Sequence, residues 1–590
     1  MKRLFLWSIL GWIGLVSLSQ PSPVHAEVLF QWAAQGGVRF HYRKSSLNQF
    51  TYPPDFNEDR TGASILLGFL GILRINDHVE FNFDIDMGEL YLGHLKRGNT
   101  EGFAALINEF RLNLTAEEQQ NQQQQVEFCK EQARKQGLPE SECNNPYFLL
   151  NESLFLRELY ATFSTSQQQW LKVDIGIINR VIGRAFVLDN FVLGAHLDIN
   201  WSKRVAEKRL PYRLEFDFFL PNATFTAEGK MSPALNLKAS YVFKEGYQFS
   251  FFTTYMYDGN NLAGKNLLPL WKEFLPRSLN DFVLSKTGEQ TNFSCNATPT
   301  SDELRILRNA YPEESQQTAE QNVLAYLDDV CNKLPSSTGH HVWLGFEGKW
   351  KWRDKLTIEG TAILYLSNMT IGLPKGVSDF RSFENNSSSG TGSSGLRPQQ
   401  ENTGADGSLE NNNFLGVSFL GELQLTYNWT SPFSTSLFFL FAMGDTLQER
   451  KTVLNAFMGI APQVRYTDVF FNGGINSYSS RRGIGVSGIS GQGYIAPGLK
   501  VHYQKEDVAE ARFTAAAFWS VQDSVFPGKN GETPGNFYGV ELNLTGSFNI
   551  TKWLKPVAQL DLFVPGNFFT PSVSPVIMFQ ALVGLDFVWL

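Results

Sequence analysis

The chain of 590 residues carries 50 basic against 58 acidic side chains, and it is rich in Gly (50), Phe (49), Tyr (19) and Trp (13) but poor in Met (8). Its mean hydropathy of −0.20 excludes a bundle of membrane helices, because each such helix needs about 20 mostly apolar residues. The acidic balance offers no basic face for nucleic acid, whereas abundant aromatics and glycines suit strands joined by many turns.

The chain begins with Lys2 and Arg3, an apolar run over 4–18, and small residues ending in Val24, His25 and Ala26. This is the pattern of a secretory leader covering 1–26. Without Lys2 and Arg3 the remainder has 48 bases against 58 acids. Export places the four cysteines in an oxidising compartment, and each pair falls within one insert, so the expected clips are Cys129 with Cys143 and Cys295 with Cys331. Neither spacing suits a zinc site, and no cofactor motif is present.

From residue 27 to 590 the chain predicts one domain, an all-β, single-chain antiparallel transmembrane barrel of about 18 strands with long external loops containing short helical inserts. Period-two segments keep returning. In 28–43, Val38, Phe40 and Tyr42 oppose Arg39, His41 and Arg43. After 62–75, an Asn76-Asp77 turn leads into 78–93, where Val79, Phe81, Phe83, Ile85 and Met87 oppose Glu80, Asn82, Asp84 and Asp86. A Gln-rich, helix-favouring insert spans 94–150, and strands resume at 152–165, 170–178, 192–201, 212–220, 234–243 and 247–257. The insert 258–339 predicts two short helices within 301–334. The hairpin 342–352 and 356–366 follows, and then a Ser/Gly/Asn tract over 385–413 that is expected to be disordered. The remaining strands are 415–429, 433–444, 499–504, 511–519, 538–550, 553–564 and 575–590. The last has Val583, Leu585, Phe587 and Trp589 on one face, as the closing strand of an outer-membrane barrel has, and implies the barrel-assembly machinery as a partner beside membrane lipid. Tiny turns alternate with long inserts, and Trp170, Trp201, Trp350, Trp352, Trp429, Trp553 and Trp589 all fall at the tiny-turn ends, as one interfacial aromatic girdle requires.

Two stretches resemble the alginate-export family of outer-membrane proteins. Phe537-Tyr538-Gly539-Val540-Glu541-Leu542-Asn543-Leu544 with Phe563-Val564-Pro565-Gly566-Asn567-Phe568 is similar to that family's penultimate hairpin, with Asn543 in place of the usual Asp. Arg157-Glu158-Leu159-Tyr160, Asp174-Ile175-Gly176 and Gly183-Arg184 are similar to an earlier segment. The resemblance implies an 18-stranded barrel that passes a polymer or small solute.

Strand phase alone assigns the lumen. The inward acids are Glu80, Asp84, Asp86, Asp174, Asp198, Glu215, Asp217, Glu347, Glu359, Glu422, Glu541, Asp561 and Asp586, and the inward bases Arg39, Arg43, Lys172, Arg213, Lys238, Lys349, Lys351, Lys500 and Arg512. Thirteen acids against nine bases predict a mixed, slightly acidic wall that favours cations or neutral solutes over polyanions. These charges either pair across strands or form an eyelet at one height. Arg184, Arg465, Arg481 and Arg482 are loop candidates for holding an anionic group. Gly483, Gly485 and Gly488 match a dinucleotide fingerprint without the βαβ unit it needs. His196 with Asp198 and Asn200 is the sole hint of a hydrolase, and no nucleophile accompanies it. The expected function is a non-enzymatic channel, with a surface-binding barrel and, less favoured, a barrel-embedded hydrolase as alternatives.

Overall fold

The computed structural model describes residues 29–589 apart from 45–59, 93–153, 166–169, 202–210, 222–231, most of 260–298, much of 311–335, 375–408, 446–452, 461–465, 468–490, 523–534, 569–576 and a few turn residues. The leader, the insert 94–150, all four cysteines, Arg465, Arg481 and Arg482 lie outside the described residues.

The alternating segments form β1 (Leu29–Lys44), β2 (Arg60–Asn76), β3 (Val79–Leu92), β4 (Leu154–Ser164), β5 (Leu171–Ile182), β6 (Leu188–Asn200), β7 (Tyr212–Leu220), β8 (Ala234–Lys244) and β9 (Tyr247–Asp258). After the helix α1 (Ser301–Asn309) come β10 (Ser336–Trp352), β11 (Leu356–Pro374), β12 (Leu409–Thr430), β13 (Phe433–Ala442), β14 (Val453–Leu454), β15 (Tyr494–Lys505), β16 (Ala509–Trp519), β17 (Phe537–Phe548), β18 (Leu554–Pro565) and β19 (Met578–Trp589). Each strand pairs antiparallel with its sequence neighbour, except that the two-residue β14 lies parallel to β12 and β13 passes directly to β15. β19 pairs antiparallel with β1, with Val38 opposite Leu585, so the remaining 18 strands close into a barrel with no open edge.

The turns follow from local chemistry. Asn76 Oδ1 accepts from the backbone N–H groups of His78 (2.8 Å) and Val79 (2.9 Å), which closes the β2–β3 turn. Gly176 and Gly539 bend β5 and β17 at φ 141° and 143°, and a Cβ there would stand 2.2 Å from Leu159 O and 2.3 Å from Val564 O. Of the two helices expected in the second insert, α1 is the one formed over consecutive described residues, started by a capping box between Thr300 and Glu303.

The outer surface is apolar as the strand phase predicts: Phe81 is 40 % exposed, Trp429 59 % and Val583 62 %, and Leu197 faces away from buried His196 and Asp198. Trp350, Trp352, Trp429 and Trp553 stand exposed at the tiny-turn ends, and Trp32 adds a further ring near that end of β1. Such a belt matches a lipid-facing barrel exterior.

The expected disordered tract 385–413 ends in ordered structure. Residues 409–413 extend β12 against β11, with Asn411 opposite Gly372 and Asn413 opposite Thr370, whose hydroxyl donates to Asn413 Oδ1 at 2.8 Å. A polar composition does not prevent pairing where a neighbouring strand supplies a continuous ladder.

The rule of polar inside and apolar outside also fails at two places. On β2, Leu70 and Ile72 stand opposite Asp84 and Asn82, on the lumen face, yet remain 36 % and 37 % exposed. Toward the end that carries the long inserts, inward positions of β5 to β13 are large and apolar, including Ile178, Phe219, Phe252, Trp343, Tyr365, Met369 and Phe438. They pack on Phe186 to Leu188, on Leu454 to Ile460 and on Leu279, Val283 and Phe293, so that part of the interior is a hydrophobic core where open water was expected.

Within this core the Phe252 ring lies over Gly345, whose Cβ position is 2.0 Å from Phe252 Cζ. The ring is fully buried and cannot swing aside. Gly345→Val is expected to destabilise the folded barrel by about 1–3 kcal/mol, read as a lower urea midpoint in detergent micelles, and Phe252→Ala in the same chain to recover part of the loss.

Candidate functional site

Below the apolar core, toward the tiny-turn end, the inward side chains form a girdle of ion pairs. Alternation places Lys172, Asp174 and Arg180 on β5, His196 and Asp198 on β6, and Arg213, Glu215 and Asp217 on β7, and cross-strand register brings them together. Lys172 Nζ lies 3.0 Å from Asp174, which also accepts from Thr162 Oγ1 at 2.7 Å. Arg213 forks onto Asp198 at 2.8 and 3.1 Å and reaches Glu215 at 3.0 Å. Asp217, fully buried, is met by Arg180 at 2.8 Å, by His196 Nδ1 at 2.7 Å and by Asn236 Nδ2 at 2.8 Å. Thr254 Oγ1 then donates to Asn236 at 2.9 Å.

The girdle continues round the wall. Lys238 Nζ on β8 reaches past β9 to Glu347 on β10 at 2.5 Å, and Lys349 pairs with Glu359 on β11 at 2.6 Å. Arg184, from the tip between β5 and β6, spans to the β11–β12 wall. Its Nη1 is 3.0 Å from Glu359, and Nε and Nη2 fork onto Glu422 at 2.8 and 3.0 Å. The Tyr466 hydroxyl donates to the same Glu422. Burial opposes the charge on Arg184, but Glu422, Tyr466 and Glu359 outweigh it and hold the guanidinium above its ordinary pKa. Burial, reinforced by Glu422, pushes the Tyr466 phenol far up, so it stays a neutral donor.

The sequence candidates thus divide. Lys172 pairs with Asp174; Asp198, Arg213, Glu215 and Asp217 form one cluster with Arg180 and His196; Glu347 pairs with Lys238; and Lys349, Glu359 and Glu422 are joined through Arg184. Glu80 pairs with Arg74 at 2.8 Å near the β2–β3 turn, and Asp84 is buried four residues further along β3, opposite Leu70. Glu541 and Asp561 sit in a separate amide cluster, where Asn543 donates to both (2.7 and 3.0 Å) and Gln559 and Gln580 donate to Asp561 (2.8 and 2.9 Å). Lys500 lies over the rings of Tyr466 (4.4 Å) and Phe438 (5.1 Å). Arg512 stands exposed on β16 opposite His502 and Thr545. Arg39 and Asp86 lie on β1 and β3 with side chains outside the described residues.

Arg184 is corrected: it is committed to two carboxylates instead of waiting for an anion, because the tip turns into the barrel. The hydrolase hint is also corrected. His196 is bound to Asp217 and Asp198 is forked by Arg213, so two of the three residues behind the hint are held in ion pairs of the wall. Phase reading missed Arg74, Arg180 and Tyr466. Arg180 continues the Lys172, Asp174, Ile178 alternation two residues past the expected strand end. Tyr466 carried no periodic signal.

No family model and no curated protein matches the sequence. The chain path is similar to those of OccAB2 from Acinetobacter baumannii (TM-score 0.41, 9 % identity, covering 95 % of this chain and 98 % of that one) and the outer membrane protein OprD from Pseudomonas aeruginosa (0.39, 9 %, 96 % and 95 %). It is also similar to Salmonella typhi OmpF in complex with daunomycin (0.35, 8 %, 95 % and 97 %). Likeness this weak assigns neither a family nor a function.

Asp217 is the buried centre of the β5–β8 network. Arg180→Met strands its charge and is expected to cost about 3–5 kcal/mol, seen as a lower urea midpoint. Arg180→Met with Asp217→Asn should be less destabilised than the single variant.

Proposed function

We propose that the chain is an outer-membrane channel that passes a small solute, with a mixed-charge interior and no enzymatic activity. The observation that carries this is the closed 18-strand barrel, apolar and aromatic-belted outside, whose inner wall bears a girdle of ion pairs. A barrel that served only as a lipid anchor would not need paired charges on the inner faces of so many strands. The membrane is the outer one because single-chain barrels of even strand number belong there, and strand β19 is the segment offered to the assembly machinery.

The resemblance to alginate-export barrels admits a polymer or a small solute, and the interior favours the small one. A polyanion needs a continuous basic track, whereas each base of the girdle already holds a carboxylate. The apolar packing toward the long-insert end supports a second reading, a surface-binding barrel whose loops carry the function.

Reconstitution into planar bilayers separates the two. Discrete steps with a reversal potential close to zero, on the cation side in a salt gradient, support the channel, while strong anion selectivity contradicts the wall chemistry and absence of steady current favours surface binding. Cleavage after Ala26 and the clips Cys129–Cys143 and Cys295–Cys331 belong to the same proposal. Intact mass before and after reduction and alkylation is expected to show a chain starting at Glu27 and four thiols that react only after reduction.

A further inference from the structure

We propose that residues 183–187, the tip joining β5 to β6, and residues 455–460, the run after β14, form one strap across the channel interior, latched to the β11–β12 wall by Arg184. The inference rests on the channel reading, and adds that conduction is limited by this strap and controlled through a single side chain.

The backbone of the tip shows what the latch works against. Gly183, Arg184 and Ala185 have φ of 62°, 51° and 73° in succession. Two of the three carry side chains, and L residues hold this conformation only where their surroundings enforce it. The turn is otherwise self-contained, closed by Phe186 N–H to Gly183 O at 3.0 Å and Val187 N–H to Ile182 O at 3.3 Å. It can therefore swing as a unit if its distant contacts are lost.

Those contacts join tip, run and wall. Ile460 N–H donates to Val187 O at 2.8 Å, linking the run to the tip. The Trp343 indole donates to Met458 O at 2.7 Å, linking the run to β10. Phe186 stacks on Tyr466 at 6.3 Å, and Tyr466 packs on Phe438 of β13 at 5.1 Å. The polar hold on β11 and β12 converges on Arg184, which ties Glu359 and the fully buried Glu422 together while Tyr466 donates to Glu422 from the other side. Removing the guanidinium leaves the buried Glu422 carboxylate with the neutral Tyr466 hydroxyl and no cation from the latch, while Glu359 keeps Lys349. The same change removes what offsets the left-handed backbone. Both consequences push the tip off the wall.

The test compares Arg184→Ala with the native full chain by amide hydrogen exchange and by single-channel recording in the same detergent-folded preparation. In the variant, exchange at 186–188 and 455–460 should speed up by about tenfold or more while β10 to β13 keep their protection, and unit conductance should rise by about twofold. The double variant Arg184→Gln with Glu422→Gln removes the stranded carboxylate and should fold, yet show the same loss of protection. Tyr466→Phe should give a smaller change in the same direction. Unchanged exchange in both segments of the folded double variant overturns the strap. Faster exchange with native conductance unaltered overturns its control of passage. Faster exchange with no conductance in any form refutes the channel reading instead, leaving the mechanical coupling of tip and run intact.

Discussion

The pairing of β19 with β1 is the constraint on which the rest depends. In hydrocarbon an edge strand would present unsatisfied N–H and C=O groups along its whole length, and only closure removes that cost. Once the sheet is closed, every second side chain must face either lipid or the enclosed interior. The outward faces answer with aliphatics and aromatics. The inward faces are left to chemistry that has no other place to go, and the charged pairs and the apolar packing both follow from that division.

The interior solves the problem of a wide barrel in two ways. A sheet of this size cannot fill itself with wall side chains alone. Toward the tiny-turn end, long basic side chains reach across strands to carboxylates, as Lys238 reaches past β9 to Glu347. Toward the other end, the chain turns inward, and Phe186, Met458 and Ile460 supply the bulk that packs against Trp343, Tyr365 and Phe438. Arg184 belongs to both tiers: it rises from the apolar tip and ends among the acids.

Strand existence and phase were legible because lipid outside and water or charge inside impose a period of two that neither Phe81 nor Asp217 can violate cheaply. The positions of Lys172, Asp174, Asp198, Arg213 and Glu215 followed from that period, and their pairing from register. Two resemblance glycines have a physical cause as well, since Gly176 and Gly539 occupy bends closed to any Cβ. What escaped was non-periodic. Nothing in Gly183-Arg184-Ala185 announces a tip that turns inward, and Tyr466 is one aromatic in a long glycine-rich insert. The apolar inward positions escaped for a related reason: an apolar residue on an inward phase violates the membrane rule unless a distant segment covers it, and distance along the chain carries no local signal.

Strand β2 has a consequence for assembly. Leu67 and Phe69 meet lipid while Leu70 and Ile72 line the interior, so its own side chains scarcely distinguish the two directions. Shifting most strands by one residue would bury charge in hydrocarbon, but the same slip in β2 incurs little penalty of that kind over its middle. Its alignment must instead be dictated by irregularities at its margins, between Ile65 and Leu67 and between Arg74 and Asn76, where the ladder with β3 changes step. The second strand is in this sense a borrower of orientation, taking from β1 and β3 an identity that its own composition does not encode.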